Sequence, residues 1–455
     1  MTEIDSSPAH QALEGVQSRL DPVTYGVDSS RPTRVRYVVL LLLILHYANT
    51  YMDRVIIAGA APVIRKELHL TNVMLGVVFS AFSISYVLFQ VPTGWLADKF
   101  GPRRVLAGIV TWWCVFTMAT ASAWNVTSLM VFRFLFGAGQ AGAFPSATRA
   151  LTRWLPSTER GFAQGITHSA SRLAAAVTPA IVALTVVEFG WRWAFLVLGA
   201  AGILWAIVWF WYYRDTPESH AGVNSAELAI IRASSGARDS KSTPHAATAK
   251  GGAKVPWRVL LRSSNMWMIC LAWWGHSYMF WIYITWFPTY LLENYHFSLA
   301  RSGILAGLPL LAGAVANTVG GWSSDRLVAK KGLRFGRRAI AVIGFSTAIS
   351  CTVLGVLAKN PYWAVALLTM AMAGLELTVG VAWAVTIDVG GDFAGTVSAL
   401  MNTFGQTGGA LSPIVFGVLV QWTGRWELPF LLASAVLVGS GLLWLKIDPE
   451  KSVLT

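Results

Sequence analysis

The stretch His46-Tyr47-Ala48-Asn49-Thr50-Tyr51-Met52-Asp53-Arg54 sets an acid beside a base inside an apolar run that extends from about residue 37 to residue 64. A charge at the centre of a bilayer costs roughly 2.5 to 3.5 kcal/mol even on the lenient insertion scale, so such a pair needs a reason to be there. At helical spacing Tyr47, Tyr51 and Arg54 share one face, and His46, Asn49 and Asp53 share the adjoining one. One wall then carries an anion binder, a titratable acid and hydrogen-bonding groups, which suits a polar cavity. Two further groups of this kind lie deep in apolar runs. Arg172 is a second intramembrane cation, on a face of small residues, placed to bind the far end of a dianion, to neutralise Asp53 or to pair with another carboxylate, and Glu376 is an acid in the middle of a late run. His168, near Arg172, is either a hydrogen-bonded interior histidine or a proton relay.

These groups belong to a membrane protein. Only 13% of the residues are charged and 55% are hydrophobic, against about 25% charged in soluble domains, and the mean hydropathy is +0.54. Twelve spans are expected, near 37–62, 73–97, 104–123, 126–149, 163–187, 191–213, 267–291, 302–324, 337–357, 362–387, 394–421 and 427–446. Residues 1–36 are expected to form a disordered tail without a signal peptide, 214–262 a linker and 447–455 a second tail. The linker divides two six-span bundles, 37–213 and 263–446, with flexible sections at Ser234-Ser235-Gly236 and Lys250-Gly251-Gly252.

The net charge of +13 is not spread like that of a nucleic-acid binder. Basic residues crowd the loops on the side of the termini, at Arg31, Arg34 and Arg36, around Lys99, Arg103 and Arg104, and from Lys330 to Arg338. By the positive-inside rule that side is cytoplasmic. The cysteines, Cys114, Cys270 and Cys351, stand at no metal-like spacing and read as buried thiols. No phosphate loop or nucleophile motif appears, so no enzyme, cofactor or metal site is expected.

The two sets of six read as copies. Gly94-Trp95-Leu96-Ala97-Asp98-Lys99 ends the second span and Gly321-Trp322-Ser323-Ser324-Asp325-Arg326 ends the eighth. Small-residue stretches from His168 to Pro179 and from Asn402 to Pro413 recur at nearly the same offset. In the cassette Gly94-xxx-Asp98-Lys99-Phe100-Gly101-Pro102-Arg103-Arg104, Gly94 permits close packing and Asp98 can receive a helix dipole or an arginine. Gly94, Asp98, Arg103, Arg104, Asp325 and Arg326 are therefore expected to latch a gate.

These cassettes resemble the loop motif of the major facilitator superfamily. Tyr51-Met52-Asp53-Arg54, Gln90-Val91-Pro92-Thr93-Gly94, Arg133-Phe134-Leu135-Phe136-Gly137, Phe144-Pro145, Gly190 to Phe195 and Asn402-xx-Gly405-xx-Gly408-Gly409 more closely resemble its anion:cation symporter family. That family includes galactonate, glucarate, hexuronate, tartrate and phthalate transporters, sialin and the vesicular glutamate carriers. The resemblance implies an all-α membrane protein of twelve transmembrane helices in two bundles, with alternating access and organic anions carried together with protons. By position it implies that Arg54 holds a carboxylate, for which a planar guanidinium is suited, and that Asp53 is its proton-sensitive partner. Tyr51 and Tyr86 match cavity aromatics, Trp383, Asn402 and Gln406 match cavity positions of the second half, and Arg133 matches the motif arginine at the start of span four.

Gln140 departs from the pattern, because the family usually has a glutamate there and glutamine cannot titrate. Glu376, close to the repeat equivalent of Gln140, is expected to supply the missing acid. The expected substrate is a small sugar acid, such as a hexonate, hexarate or hexuronate, imported across an inner membrane by proton symport. A dicarboxylate or aromatic carboxylate, proton-independent exchange or facilitation, and an anion receptor without turnover stand as alternatives. The expected partners are the anion, protons and the lipid bilayer, with no nucleic acid, and the carrier is expected to act as a monomer.

Overall fold

A computed structural model describes residues 31–236 and 257–453. Of the expected tail, residues 1–30 lie outside the described residues, as do the Lys250-Gly251-Gly252 section and residues 454–455. Residues 31–36 are ordered instead, with the Arg31 carbonyl accepting from Asn224 Nδ2 at 3.0 Å, the Thr33 hydroxyl donating to Glu227, and Val35 and Arg36 already helical.

The first half runs through α1 (Val35–Glu67), α2 (Asn72–Phe100), α3 (Pro102–Thr120), α4 (Val126–Gln140), α5 (Ala143–Trp154), α6 (Ser157–Phe189) and α7 (Trp191–Tyr212). Two short helices follow, α8 (Ser225–Gly236) and α9 (Trp257–Arg262). The second half comprises α10 (Ser264–Thr285), α11 (Phe287–Tyr295), α12 (Leu299–Lys331), α13 (Leu333–Leu357), α14 (Pro361–Leu377), α15 (Val379–Gly390), α16 (Ala394–Thr423) and α17 (Leu428–Lys446). The pairs α4/α5, α10/α11 and α14/α15 each make one interrupted rod, which gives twelve rods in two bundles of six among the described residues.

Nine rods among the described residues are long and apolar enough to cross a membrane on their own. The other three are less apolar or less continuous: α3 opens on Arg103 and Arg104, α4/α5 is interrupted, and α10/α11 carries Asn265, His276 and Ser277.

Each break has a local cause. Pro145 cannot donate to the carbonyl of residue 141, so the chain turns between α4 and α5. Pro288 opens α11 directly after the bend at Trp286. At Thr378 the hydroxyl donates to the Leu375 carbonyl at 2.7 Å and competes with the helix ladder. On the face opposite the termini, side chains cap the helices that begin there. Asn125 accepts from Ser128 N at 2.8 Å, and Asn360 accepts from Tyr362 N at 2.9 Å. At the two cassette loops Gly101 (φ 79°) and Gly332 (φ 85°) turn the chain in the left-handed region between consecutive rods. That shared device marks the duplication.

α2 packs on α16, and α6 packs on α12, across the boundary between the halves. These contacts are closest toward the face opposite the termini. A Cβ on Gly76 would sit 2.4 Å from the Pro413 carbonyl oxygen, and one on Gly307 would sit 2.2 Å from that of Ala176. Arg65 at the end of α1 pairs with Glu293 in α11 and donates to Asn72 at 2.6 Å. That face is shut.

Part of the linker differs from expectation. Ser234-Ser235-Gly236 closes α8 rather than forming an open section. Glu227 in α8, fully buried, accepts from the backbone N–H groups of Val35 (3.2 Å) and Arg36 (3.1 Å) and from the Thr33 hydroxyl. It also faces the Arg36 guanidinium at 3.7 Å. A linker carboxylate thus supplies the cap that Arg34 cannot give α1.

Candidate functional site

Between the halves a cavity of about 900 Å³ opens toward the face of the termini. Its lining includes Gln90, Thr148, Gly165, Trp383 and Gly395, all in the parts of their helices nearer that face. Among the described residues three charged ones line it: Arg54, Arg172 and Glu376.

Arg54 projects from the middle of α1 into a cage of rings. Its guanidinium carbon lies 5.0 Å from the ring centre of Tyr51, 4.9 Å from Tyr86, and 5.3 Å from both Phe82 and Phe144. Nε donates to Gln140 Oε1 at 2.6 Å, and Gln140 Nε2 donates to the Thr50 carbonyl at 2.9 Å. Nη2 is buried and has no partner among the described residues. Rings and amide fix the direction of the guanidinium without cancelling its charge, which leaves donors for an anion. Gln140 is thus a holder of Arg54 behind the wall and does not itself line the cavity.

Arg172, on α6, and Glu376, the penultimate residue of α14, meet across the cavity with Nη2 and Oε2 3.3 Å apart. Neither Glu376 oxygen has a hydrogen-bond donor among the described residues. The glutamate stem lies against Gly313 of α12, where a Cβ would come within 2.9 Å of Cγ. The Arg172 guanidinium carbon lies 5.1 Å from the Phe280 ring centre and 5.9 Å from that of Tyr51, so Tyr51 touches both arginines. Gln140 closes α4 just before its break and Glu376 stands just before that of α14, in matching places of the two halves.

Of the other expected site residues, Tyr47, Tyr51, Tyr86, His168, Trp383, Asn402 and Gln406 all line the cavity. Tyr47 and Phe144 hold the His168 ring by edge and by stacking, at 5.2 and 6.0 Å. Gln406 accepts from Trp281 Nε1 at 3.3 Å.

Asp53 is where the single polar wall fails. Its side chain is fully buried, turned toward α3 and away from the cavity, and accepts from Trp113 Nε1 at 3.0 Å and Asn49 Nδ2 at 3.1 Å. His46 packs beside it against Trp113 and Trp205. Helical geometry explains this: residues 53 and 54 point about 100° apart, and only the face of Tyr47, Tyr51 and Arg54 reaches the cavity. Arg133 is also buried behind the wall, 4.6 Å from the Phe136 ring centre.

The cassettes divide. In the second half Arg337 donates to Asp325 at 2.7 Å and to Ser324 at 3.0 Å, and binds Asp388 at 3.0 Å. It therefore ties α12, α13 and α15 together. Arg326 lies over the Trp322 ring at 3.9 Å. In the first half Arg103 turns toward α7, with Nε donating to the Phe210 carbonyl at 2.9 Å, and Arg104 borders a groove beside it. The surroundings of Gly94 and the side chain of Asp98 lie outside what the structure describes.

Several participants escaped the sequence reading. Phe82, one turn before Tyr86, completes the Arg54 cage, and Arg337 with Asp388 completes the second latch. His276 lines the cavity stacked on Trp273 at 4.5 Å, with Nδ1 3.3 Å from Thr378 Oγ1. A histidine inside the apolar α10 was the available signal.

Comparison with known proteins agrees with this architecture. Residues 43–413 match the family model described as Major Facilitator Superfamily. The chain is 41% identical to a probable sulfoacetate transporter of Cupriavidus necator, over 92% of this chain and 95% of that protein. It is 31% identical to a probable galactarate/D-glucarate transporter of Bacillus subtilis, over 94% and 95%. A crystal structure of a bacterial homologue of the human lysosomal transporter Spinster superposes with a TM-score of 0.74 at 18% identity, covering 91% of this chain and 97% of that one. With twelve rods in two duplicated bundles around a central charged cavity, the chain belongs to the Major Facilitator Superfamily, a family of membrane transporters and not of enzymes.

Proposed function

We propose that the protein imports a small organic dianion across a bacterial inner membrane by proton symport, with both termini in the cytoplasm and the present state open inward. The observation that carries this is the Arg172–Glu376 pair, which joins the two halves inside the cavity that also holds Arg54. Arg54 takes one acidic end of the substrate. The other end competes with Glu376 for Arg172, and a proton on Glu376 removes that competitor, so proton and substrate occupy the site together. The coupling proton belongs on Glu376, which faces the cavity. Asp53 instead joins α1 to α3 from behind the wall.

Two acid groups are common to sulfoacetate and to galactarate and glucarate, the substrates named for relatives of this chain. Asn317, Asn402 and Gln406 supply amides for hydroxyl groups, which favours the sugar diacid as a second reading beside the short sulfonate. The concentration of Lys and Arg on the face of the termini supports the orientation.

The test is uptake into proteoliposomes of labelled sulfoacetate, galactarate, glucarate, hexuronate and galactonate, with and without an inward proton gradient. Gradient-driven accumulation of the diacids above the monoacids supports the reading. Counterflow that ignores the gradient would make the carrier an exchanger, and tight binding without flux would make it a receptor.

A further inference from the structure

A second cavity, of about 670 Å³, lies outside the transport path, in a groove between α3 and α7 on the outer surface of the first bundle. Its walls are apolar and lipid-facing. Trp112, held by a hydrogen bond from Nε1 to the Leu135 carbonyl at 2.9 Å, forms one side, and Ile207 and Phe210 form the other. Its floor is low because Gly108 has no side chain, and a Cβ there would meet nothing within 4 Å.

Charge is confined to one end. Arg104 borders the groove at the start of α3 and has no hydrogen-bond or ion-pair partner among the described residues. Arg103 and Arg214 stand in its neighbourhood, with Asp215 the acid beside them among the described residues. Trp211, 76% exposed, stands at the same end, as an interfacial tryptophan does. From Arg104 to Phe116 the groove follows α3 for about 18 Å, against roughly 15 Å for the depth of one hydrocarbon leaflet.

We propose that this groove binds an anionic phospholipid, with the phosphodiester headgroup on Arg104 and one acyl chain lying over Gly108. A cationic end at headgroup depth, continued by an apolar trough of one leaflet's length, matches a lipid along its whole body. A soluble phosphate would leave the trough empty, and a zwitterionic lipid would gain less from a cluster of arginines.

The test uses the full chain purified in mild detergent with an equimolar mixture of phosphatidylglycerol and phosphatidylcholine, and native mass spectrometry to read the retained lipid. The wild type is expected to keep phosphatidylglycerol in several-fold excess. Arg104→Gln should bring the two lipids to parity, and Gly108→Leu, which fills the floor, should lower retention of both. Equal retention by the wild type, or an unchanged preference in Arg104→Gln, overturns the headgroup assignment. Undiminished retention in Gly108→Leu overturns the groove. Both positions are exposed and helical, and leucine favours helix over glycine, so melting curves matching the wild type are expected to accompany these readings.

Discussion

Glu376→Gln removes a charge and keeps a shape, and the competition mechanism makes its effect on the substrate calculable. At the 3.3 Å separation of Glu376 Oε2 and Arg172 Nη2, two unit charges attract by about 5 kcal/mol at an effective dielectric constant of roughly 20. Desolvation of both groups offsets much of this. If only about 1.4 kcal/mol survives as a barrier to displacement, substrate affinity changes tenfold. The variant should therefore bind the dianion at least about tenfold more tightly than the wild type at a pH where Glu376 is ionised.

The difference should shrink as the pH falls through the titration of Glu376, because protonation does in the wild type what the substitution does permanently. Binding calorimetry at both ends of that range reads the affinity, and proteoliposome uptake reads the coupling. The variant should lose gradient-driven accumulation while it retains counterflow. Without ligand its Arg172 is left unpaired in the protein interior, so its melting temperature should fall and then recover more on adding substrate than that of the wild type. Equal affinity at both pH values, with gradient-driven uptake intact, would refute the competition and leave the Arg172–Glu376 pair as a structural tie.

Other perturbations probe other parts of the molecule. Arg54→Lys keeps the charge but loses the planar fork that the Gln140 amide and four rings hold in place; substrate affinity in the binding assay should fall at least about tenfold, as when a bidentate charged contact is lost. Gly307→Val places a side chain where even a Cβ would lie 2.2 Å from the Ala176 carbonyl. An overpacking cost of about 1 to 3 kcal/mol should shift the carrier toward opening at the face opposite the termini, read as faster labelling of a cysteine placed at Asn72. Glu227→Ala strips the α1 N-terminus of its acceptor and leaves Arg36 without its buried partner; a loss of about 1 to 2 kcal/mol should lower the melting temperature and leave substrate affinity unchanged.

The spans were readable because apolar length is a property of composition, and the duplication was readable because glycine and aspartate recur at fixed offsets. The breaks at residues 141–142 and at Thr378 were harder to see, since each depends on one hydrogen bond lost or diverted inside a run that stays apolar throughout. Arg54 and its tyrosines could be placed on one helical face from spacing alone. Asp53 could not be assigned to the cavity or to the packing, because the sequence does not say which neighbour covers the adjoining face; Trp113, sixty residues away, accounts for its position. Glu376 could be noticed as an acid in an apolar run, but its partner Arg172 lies in the other half, and only the packing of α6, α12 and α14 brings the two together.

The neutrality of Gln140 has an electrical consequence. Because its amide holds Arg54 without cancelling it, the empty site carries one positive charge from Arg54, Arg172 and Glu376 together. In the proposed cycle a bound dianion with a protonated Glu376 makes the loaded site neutral. Membrane voltage would then act little on the inward journey of the cargo and mainly on the outward return of the empty carrier, where moving one charge against an interior-negative potential costs about 2.3 kcal/mol per 100 mV. Turnover would thus be governed by the voltage through recycling, and a Gln140→Glu carrier, whose empty site has no net charge, would return with little regard to it.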